Sequence, residues 1–320
     1  MQSAEGRPMS PEMLKLFAGV FGVLVVASAA GAALKRRVAR GEPHGTIDTL
    51  NARIGAWWWM VILLGVAFAF GKGGVVVLFA FVSFLCLREF VSLTYTRRGD
   101  HWALALAFFV FLPLQFALVG AERYGLYSIA IPVYAFLTLP IFAALSSDTT
   151  RFFERAAKLQ AALMICVYCV SYVPALVTLR IPGFEGGSLL LIGWLVLVVQ
   201  TSDVLQYVWG KLVGRRRIAP ALAPSKTVEG VAGGLASASL VGALLAWLTP
   251  FTVLQAGAVA LVVCTMGFLG SLVMAAIKRD RGVREWGTTL EGRGGMLDRL
   301  DSVIFAAPVY FHLVRHWWEP

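Results

Sequence analysis

The feature that most restricts what this chain can become is its recurrence of long apolar stretches. They lie at 16–34, 56–70, 74–87, 101–119, 125–145, 159–179, 188–208, 230–250, 252–277 and 302–316. A helix of about 20 apolar residues crosses the roughly 30 Å of bilayer hydrocarbon. Composition agrees: 58% of residues are apolar and 14% charged, with a mean hydropathy of +0.76. A soluble domain carries about a quarter charged residues, so the solvent here is lipid. Low charge excludes disorder, and four cysteines in 320 residues exclude a disulfide scaffold. The expected fold is all-α, a polytopic integral-membrane bundle of about nine or ten transmembrane helices. The count turns on 56–70 and 74–87, which are short enough to form one re-entrant hairpin around Gly71, Gly73 and Gly74, and on the short 302–316. Residues 1–180 are expected to supply about six spans. Residues 181–320 are expected to form a catalytic membrane region with cytoplasmic loops at 209–229 and 278–301.

Orientation follows from where the basic residues fall. With the N-terminus outside, the inside segments hold Lys35, Arg36, Arg37, Arg40 and Arg53; Arg88, Arg97 and Arg98; and Arg151, Arg155 and Lys158. They also hold Lys211, Arg215, Arg216, Arg217 and Lys226, then Lys278, Arg279, Arg281, Arg284, Arg293 and Arg299. These are 22 of the 28 basic residues. Ala27-Ser28-Ala29-Ala30 has the look of a signal-peptidase site, but cleavage there would carry Lys35-Arg36-Arg37 across the membrane. The first span therefore reads as a reverse signal anchor. The net charge of +10 becomes mainly a property of the cytoplasmic face, where it attracts anionic lipid and phosphate-bearing substrates rather than nucleic acid.

Several conspicuous residues read as structural. Cys166 and Cys169 lie in an apolar span without a second pair, as buried small side chains. His44, His101, His312 and His316 are too scattered to share a metal. Trp57-Trp58-Trp59 reads as an interfacial belt, with Arg53 placed to touch a lipid phosphate. Arg88-Glu89 reads as a helix-end ion pair rather than a catalytic unit.

Charge at membrane depth is costly and points to function. The first such region puts Asp203 late in the seventh span. It continues through Ala223-Pro224-Ser225-Lys226-Thr227-Val228-Glu229-Gly230, where Pro224 stops a helix and Ser225 caps the next, starting near Lys226. A cap, a lysine and free backbone N–H groups at a helix start form a phosphate site. The second region, Lys278 to Asp301, holds six basic and five acidic residues beside a span. Asp298 and Asp301 are three apart, so one helix face presents both to a single cation. Gly292-Arg293-Gly294-Gly295 lets backbone approach a phosphate. Oxygen ligands without Cys or His favour Mg²⁺ held jointly with substrate phosphates.

Ser271-x6-Lys278-Arg279-x4-Arg284-Glu285-x-Gly287, followed by Gly292-Arg293-Gly294-Gly295-Met296-Leu297-Asp298-Arg299-Leu300-Asp301-Ser302, resembles the signature of phosphatidate cytidylyltransferases. Asp203, Gly210-Lys211-Leu212-x-Gly214 and Ser225-Lys226-Thr227-x-Glu229-Gly230-x2-Gly233-Gly234 resemble that family's other block. The likeness covers about 190–315. It implies a bacterial inner-membrane nucleotidyltransferase of phospholipid biosynthesis, with its site on the cytoplasmic face, making CDP-diacylglycerol and pyrophosphate from CTP and phosphatidate. It implies Mg²⁺, with a second cation and a homodimer left open. By resemblance Asp298 and Asp301 bind metal, with Glu285 as a further ligand. Lys226, Lys278, Arg279 and Arg299 hold phosphates, and Ser225, Thr227, Asp203, Arg293, Gly294 and Gly295 line the substrate site.

The chain departs from the family pattern at three places. Arg284-Glu285 replaces Lys-Asp, Glu291-Gly292-Arg293-Gly294-Gly295 replaces Pro-Gly-His-Gly-Gly, and Ser202 and Gln206 replace small residues beside Asp203. These mark a divergent member. A CTP-dependent polyisoprenol kinase, and a non-catalytic paralogue or transporter, remain as other readings. The concentration of polar residues in one half and near one face favours an enzyme over the inverted repeats usual in transporters.

Overall fold

A computed structural model describes residues 11–37, 45–287 and 294–319. Arg7, Arg40, His44, Glu291, Gly292 and Arg293, and the side chain of Arg53, lie outside the described residues. The chain is helical almost throughout: α1 Pro11–Arg37, α2 Gly45–Ala69, α3 Gly71–Ser92, α4 Arg98–Gly120, α5 Tyr124–Ala144, α6 Phe152–Thr178, α7 Ser188–Leu212, α8 Val228–Leu244, α9 Val253–Asp280 and α10 Leu297–Trp318. Seven of these, α1, α3, α4, α5, α6, α7 and α9, are long and apolar enough to cross a membrane. Stretches 56–70 and 74–87 belong to two separate full-length helices, not to a short re-entrant hairpin. Gly71 makes the break between them at φ +61°, a conformation open to glycine without strain.

Residue contacts divide the chain into Met1–Leu78 and Phe79–Pro320. In the first unit α1 and α2 are joined by a Trp58 Nε1 hydrogen bond to Ser28 Oγ at 3.0 Å and an edge-on Phe17–Phe68 pair.

In the second unit α4, α5 and α6 each contain one π-helical turn, at Ala107–Phe111, Ala130–Ala135 and Met164–Cys169. Pro132 lies inside the second and Pro113 follows the first, and a proline removes a backbone donor that a wider turn accommodates. Cys166 and Cys169 are free thiols of the third turn, and the Cys166 carbonyl accepts a hydrogen bond from Ser83.

Glycines set the spacing of α7 to α10. A methyl group on Gly230 would come within 2.8 Å of Gly210 Cα, and one on Gly234 within 2.6 Å of the Gln206 backbone nitrogen. At Gly267 it would meet the Ser302 carbonyl at 3.2 Å. Small residues thus bring backbones together, which is how packing drives helix association in lipid, where burial against water does not. Trp194 closes the other end of this group, stacking on Tyr310 and donating to the Gly242 carbonyl.

Between α7 and α8 the chain makes a two-stranded antiparallel hairpin, β1 Arg217–Ala219 and β2 Ala223–Thr227. This corrects the expected helix start. Ser225 and Lys226 are on β2, and the cap is Thr227, whose hydroxyl accepts from the Gly230 N–H at 3.1 Å. Threonine is β-branched, so it sits comfortably as the last extended residue before the helix.

Candidate active site

The C-terminal end of α7, the β2 strand, the C-terminal end of α9 and the first turn of α10 meet at one place. Lys226 Nζ donates to Gln206 Oε1 at 2.9 Å and lies 3.8 Å from Asp203 Oδ1. The ammonium also sits 5.6 Å from the centre of the Phe268 ring on α9. Gln200 Nε2 donates to the Arg299 carbonyl at 2.9 Å, fixing α7 against the start of α10. Asp301 lies within electrostatic reach of Asp203, Lys226 and Lys278, with Ser302 between the two carboxylates. Lys278 Nζ in turn bonds Asp298 Oδ1 at 2.8 Å. Two lysines and three aspartates are thus gathered on a partly buried floor, Lys226 beside Asp203 and Lys278 beside Asp298.

Asp298 and Asp301 have different partners. Besides Lys278, Asp298 accepts from the backbone N–H groups of Trp286 at 2.7 Å and Gly295 at 3.0 Å. Asp301 Oδ1 accepts from the Ser302 N–H at 2.8 Å. Among the described residues no group of three or more His, Cys, Asp or Glu side chains is placed to hold a metal. Glu285 is exposed in the 281–287 segment. Asp203 and Asp301, contributed by different helices, lie within electrostatic reach of one another. Two hard oxygen donors suit Mg²⁺, which keeps several waters and completes its shell with substrate phosphates.

The hairpin carries the remaining expected groups. Ser225 is exposed on β2 and Thr227 is engaged as the cap. Arg279 Nε reaches the Leu222 carbonyl at 3.4 Å, tying the hairpin loop to the end of α9. Glu229, in the first turn of α8, accepts from the backbone N–H groups of Arg215 and Arg216 at 2.9 and 3.1 Å. Those donors hold its carboxyl below the usual carboxylate range. Gly294 and Gly295 approach α10 from the start of its first turn, Gly294 at φ +75° beside Asp298.

Two residues here escaped the sequence reading. Gln206 appeared only as a departure from small residues, yet it is the hydrogen-bond partner of Lys226. Glu89 appeared as half of a helix-end pair, yet its carboxylate accepts from the N–H groups of Met296 and Leu297, both at 2.9 Å. The available signal was a carboxylate at the end of an apolar helix. Its target lies more than 200 residues along the chain, beyond the reach of local pattern.

The arrangement suits phosphoryl-group chemistry, with fixed cations and hard oxygen ligands. Comparison with known proteins agrees. The model of the cytidylyltransferase family matches residues 51–317. This chain belongs to that family and is a membrane nucleotidyltransferase. It is similar to Uncharacterized protein YnbB of Escherichia coli K12, 32% identical over 305 residues, covering 94% of this chain and 98% of the relative. The phosphatidate cytidylyltransferase of Bacillus subtilis is 30% identical over 213 residues, covering 66% and 76%. That of Synechocystis is 36% identical over 118 residues, covering 36% and 40%.

Proposed function

We propose that this enzyme transfers CMP from CTP to phosphatidate, releasing pyrophosphate and leaving CDP-diacylglycerol, in bacterial phospholipid synthesis. The observation that carries the reading is the convergence of Asp203, Lys226, Lys278, Asp298 and Asp301 from three helices and a hairpin. Two relatives named phosphatidate cytidylyltransferase support the choice of lipid.

A phosphate oxygen of phosphatidate attacks the α-phosphorus of CTP, a new P–O bond forms, and the bond to the β-phosphate breaks. Catalysis is then mainly alignment and neutralisation of spreading charge. Lys226 and Lys278 supply fixed positive charge, to which Arg279 and Arg299 add theirs, and Ser225 offers a hydrogen bond. Asp203 and Asp301 are the residues best placed to hold Mg²⁺, which when bound neutralises triphosphate charge. Asp298 instead orients Lys278 and the backbone of Trp286 and Gly295. With the N-terminus outside, the site opens on the cytoplasmic face, so the lipid enters sideways from the inner leaflet and CTP from the cytosol.

The test offers purified protein CTP and Mg²⁺ with phosphatidate and a polyisoprenol together, and identifies the lipid product by mass spectrometry. CDP-diacylglycerol is the expected product. A polyisoprenyl phosphate with release of CDP would replace this reading with that of a lipid kinase.

A further inference from the structure

We infer that Glu89, on a helix far from the sequence motifs, is a positioning residue that sets the register of the metal- and phosphate-binding turn. This inference rests on the reaction proposed above. Glu89 is 6% exposed at the end of α3. Its two oxygens receive successive backbone N–H groups, Met296 on Oε1 and Leu297 on Oε2, each at 2.9 Å. Those are the free donors at the start of α10, so a carboxylate from α3 caps the helix that bears Asp298 and Asp301. Capping is ordinarily done by a neighbour in sequence. Here it is done from another helix, which makes the position of the turn depend on tertiary packing.

Three further contacts build the clamp. A methyl group on Gly295 would lie 2.6 Å from Glu89 Cδ, and one on Gly287 would lie 3.2 Å from the same carboxylate, so both ends of the 287–295 segment close on it. Phe90, the next residue of α3, stacks on Trp286 with ring centres 5.0 Å apart and planes 17° from parallel. Trp286 and Gly295 then both donate their backbone N–H to Asp298 Oδ2, and Asp298 Oδ1 holds Lys278. The chain of contacts runs from Glu89 through Gly295–Leu297 to Asp298 and Lys278, and one turn further to Asp301. Glu89 touches backbone rather than reacting atoms, so its part is geometric. The role explains why a carboxylate stands at the end of an otherwise apolar helix, where α10 supplies its donors.

The test uses full-length Glu89→Gln and Glu89→Asp proteins in detergent. Glutamine keeps the shape but offers one acceptor oxygen and turns an N–H₂ toward the other backbone donor. A shift of the turn by about 1 Å costs on the order of 10²-fold in kcat. Glu89→Gln is expected to lose that much kcat while KM for CTP and phosphatidate stays within about threefold. Glu89→Asp, which restores both oxygens one methylene short, is expected to recover part of the loss. Independently of turnover, hydrogen exchange of metal-free protein should quicken by about tenfold in a peptide spanning 294–298 and stay unchanged in α7 and α8. Wild-type kcat and exchange in Glu89→Gln would overturn the inference, as would faster exchange throughout the protein, which marks a merely structural role. If wild-type protein fails to turn over CTP and phosphatidate, the proposed reaction fails, and the exchange measurement alone decides the cap.

Discussion

Replacing Gly234 with alanine tests whether glycines hold the site together. The added methyl would sit 2.6 Å from the Gln206 backbone nitrogen and 2.7 Å from Gln206 Cα. Carbon contacts settle at about 3.5–4.0 Å, so α7 and α8 must part by roughly 1 Å. Gln206 Cγ is also in the way, but two of the three nearest atoms are backbone, so side-chain rotation alone does not relieve the clash. Overpacking of this kind costs about 1–3 kcal/mol. Lys226 is on the strand that leads into α8 while Gln206 and Asp203 are both on α7, so the same displacement carries the ammonium away from both, and a 1 Å error at a reacting centre costs about 10²-fold in rate. The assay is pyrophosphate release by purified protein, with thermal unfolding in the same detergent. Gly125→Ala serves as control, since nothing lies within 4 Å of a methyl there. A Gly234→Ala enzyme with the rate and melting midpoint of wild type would refute the claim that this seam sets the site.

Other outcomes follow from the same geometry. Asp301→Asn should insert and fold as wild type does yet lose Mg²⁺-dependent turnover by at least about 10²-fold, read from a Mg²⁺ titration of initial rates. Arg155 is buried with Asp100 at 3.1 Å and reaches Asp148 at 3.3 Å, so Arg155→Ala strands a buried charge and should cost about 3–5 kcal/mol, visible in chemical unfolding. Glu229 carries a lowered pKa, so its contribution to holding Arg215 and Arg216 is present above the ordinary glutamate pKa and fades as pH falls through its depressed value. Hydrogen exchange at 215–216 should therefore be flat from pH 5 to 8 after correction for intrinsic rates and rise in stronger acid, whereas Glu229→Gln should show fast exchange throughout.

The membrane bundle was legible in the sequence because lipid thickness imposes a length that apolar stretches either meet or miss. Nine of the ten candidate stretches lie in a helix to within a residue, while 230–250 runs past the end of α8 at Leu244; α10 carries Asp298 in its first turn and Asp301 just beyond it. The residues of the two polar regions were also legible, since charge beside an apolar span stands out. What local pattern left out was how the two regions meet. Asp298 and Asp301 share a helix face by spacing, but Asp298 is held by Lys278 and two backbone donors while Asp301 is bonded by the Ser302 N–H and lies within electrostatic reach of Asp203. Ser225 looked like a cap because the hairpin that keeps it extended depends on Arg217 pairing with Thr227, ten residues apart. The roles of Glu89 and Gln206 escaped local pattern for the same reason, each acting on a partner distant in sequence.

The central claim is best tested by pyrophosphate release from purified protein given CTP, Mg²⁺ and phosphatidate, with each component omitted in turn. Pyrophosphate appearing only when all three are present is the predicted result, and it would make Arg284, Glu285 and Arg293 workable replacements for the family's usual residues. Folded protein that releases none would contradict the account.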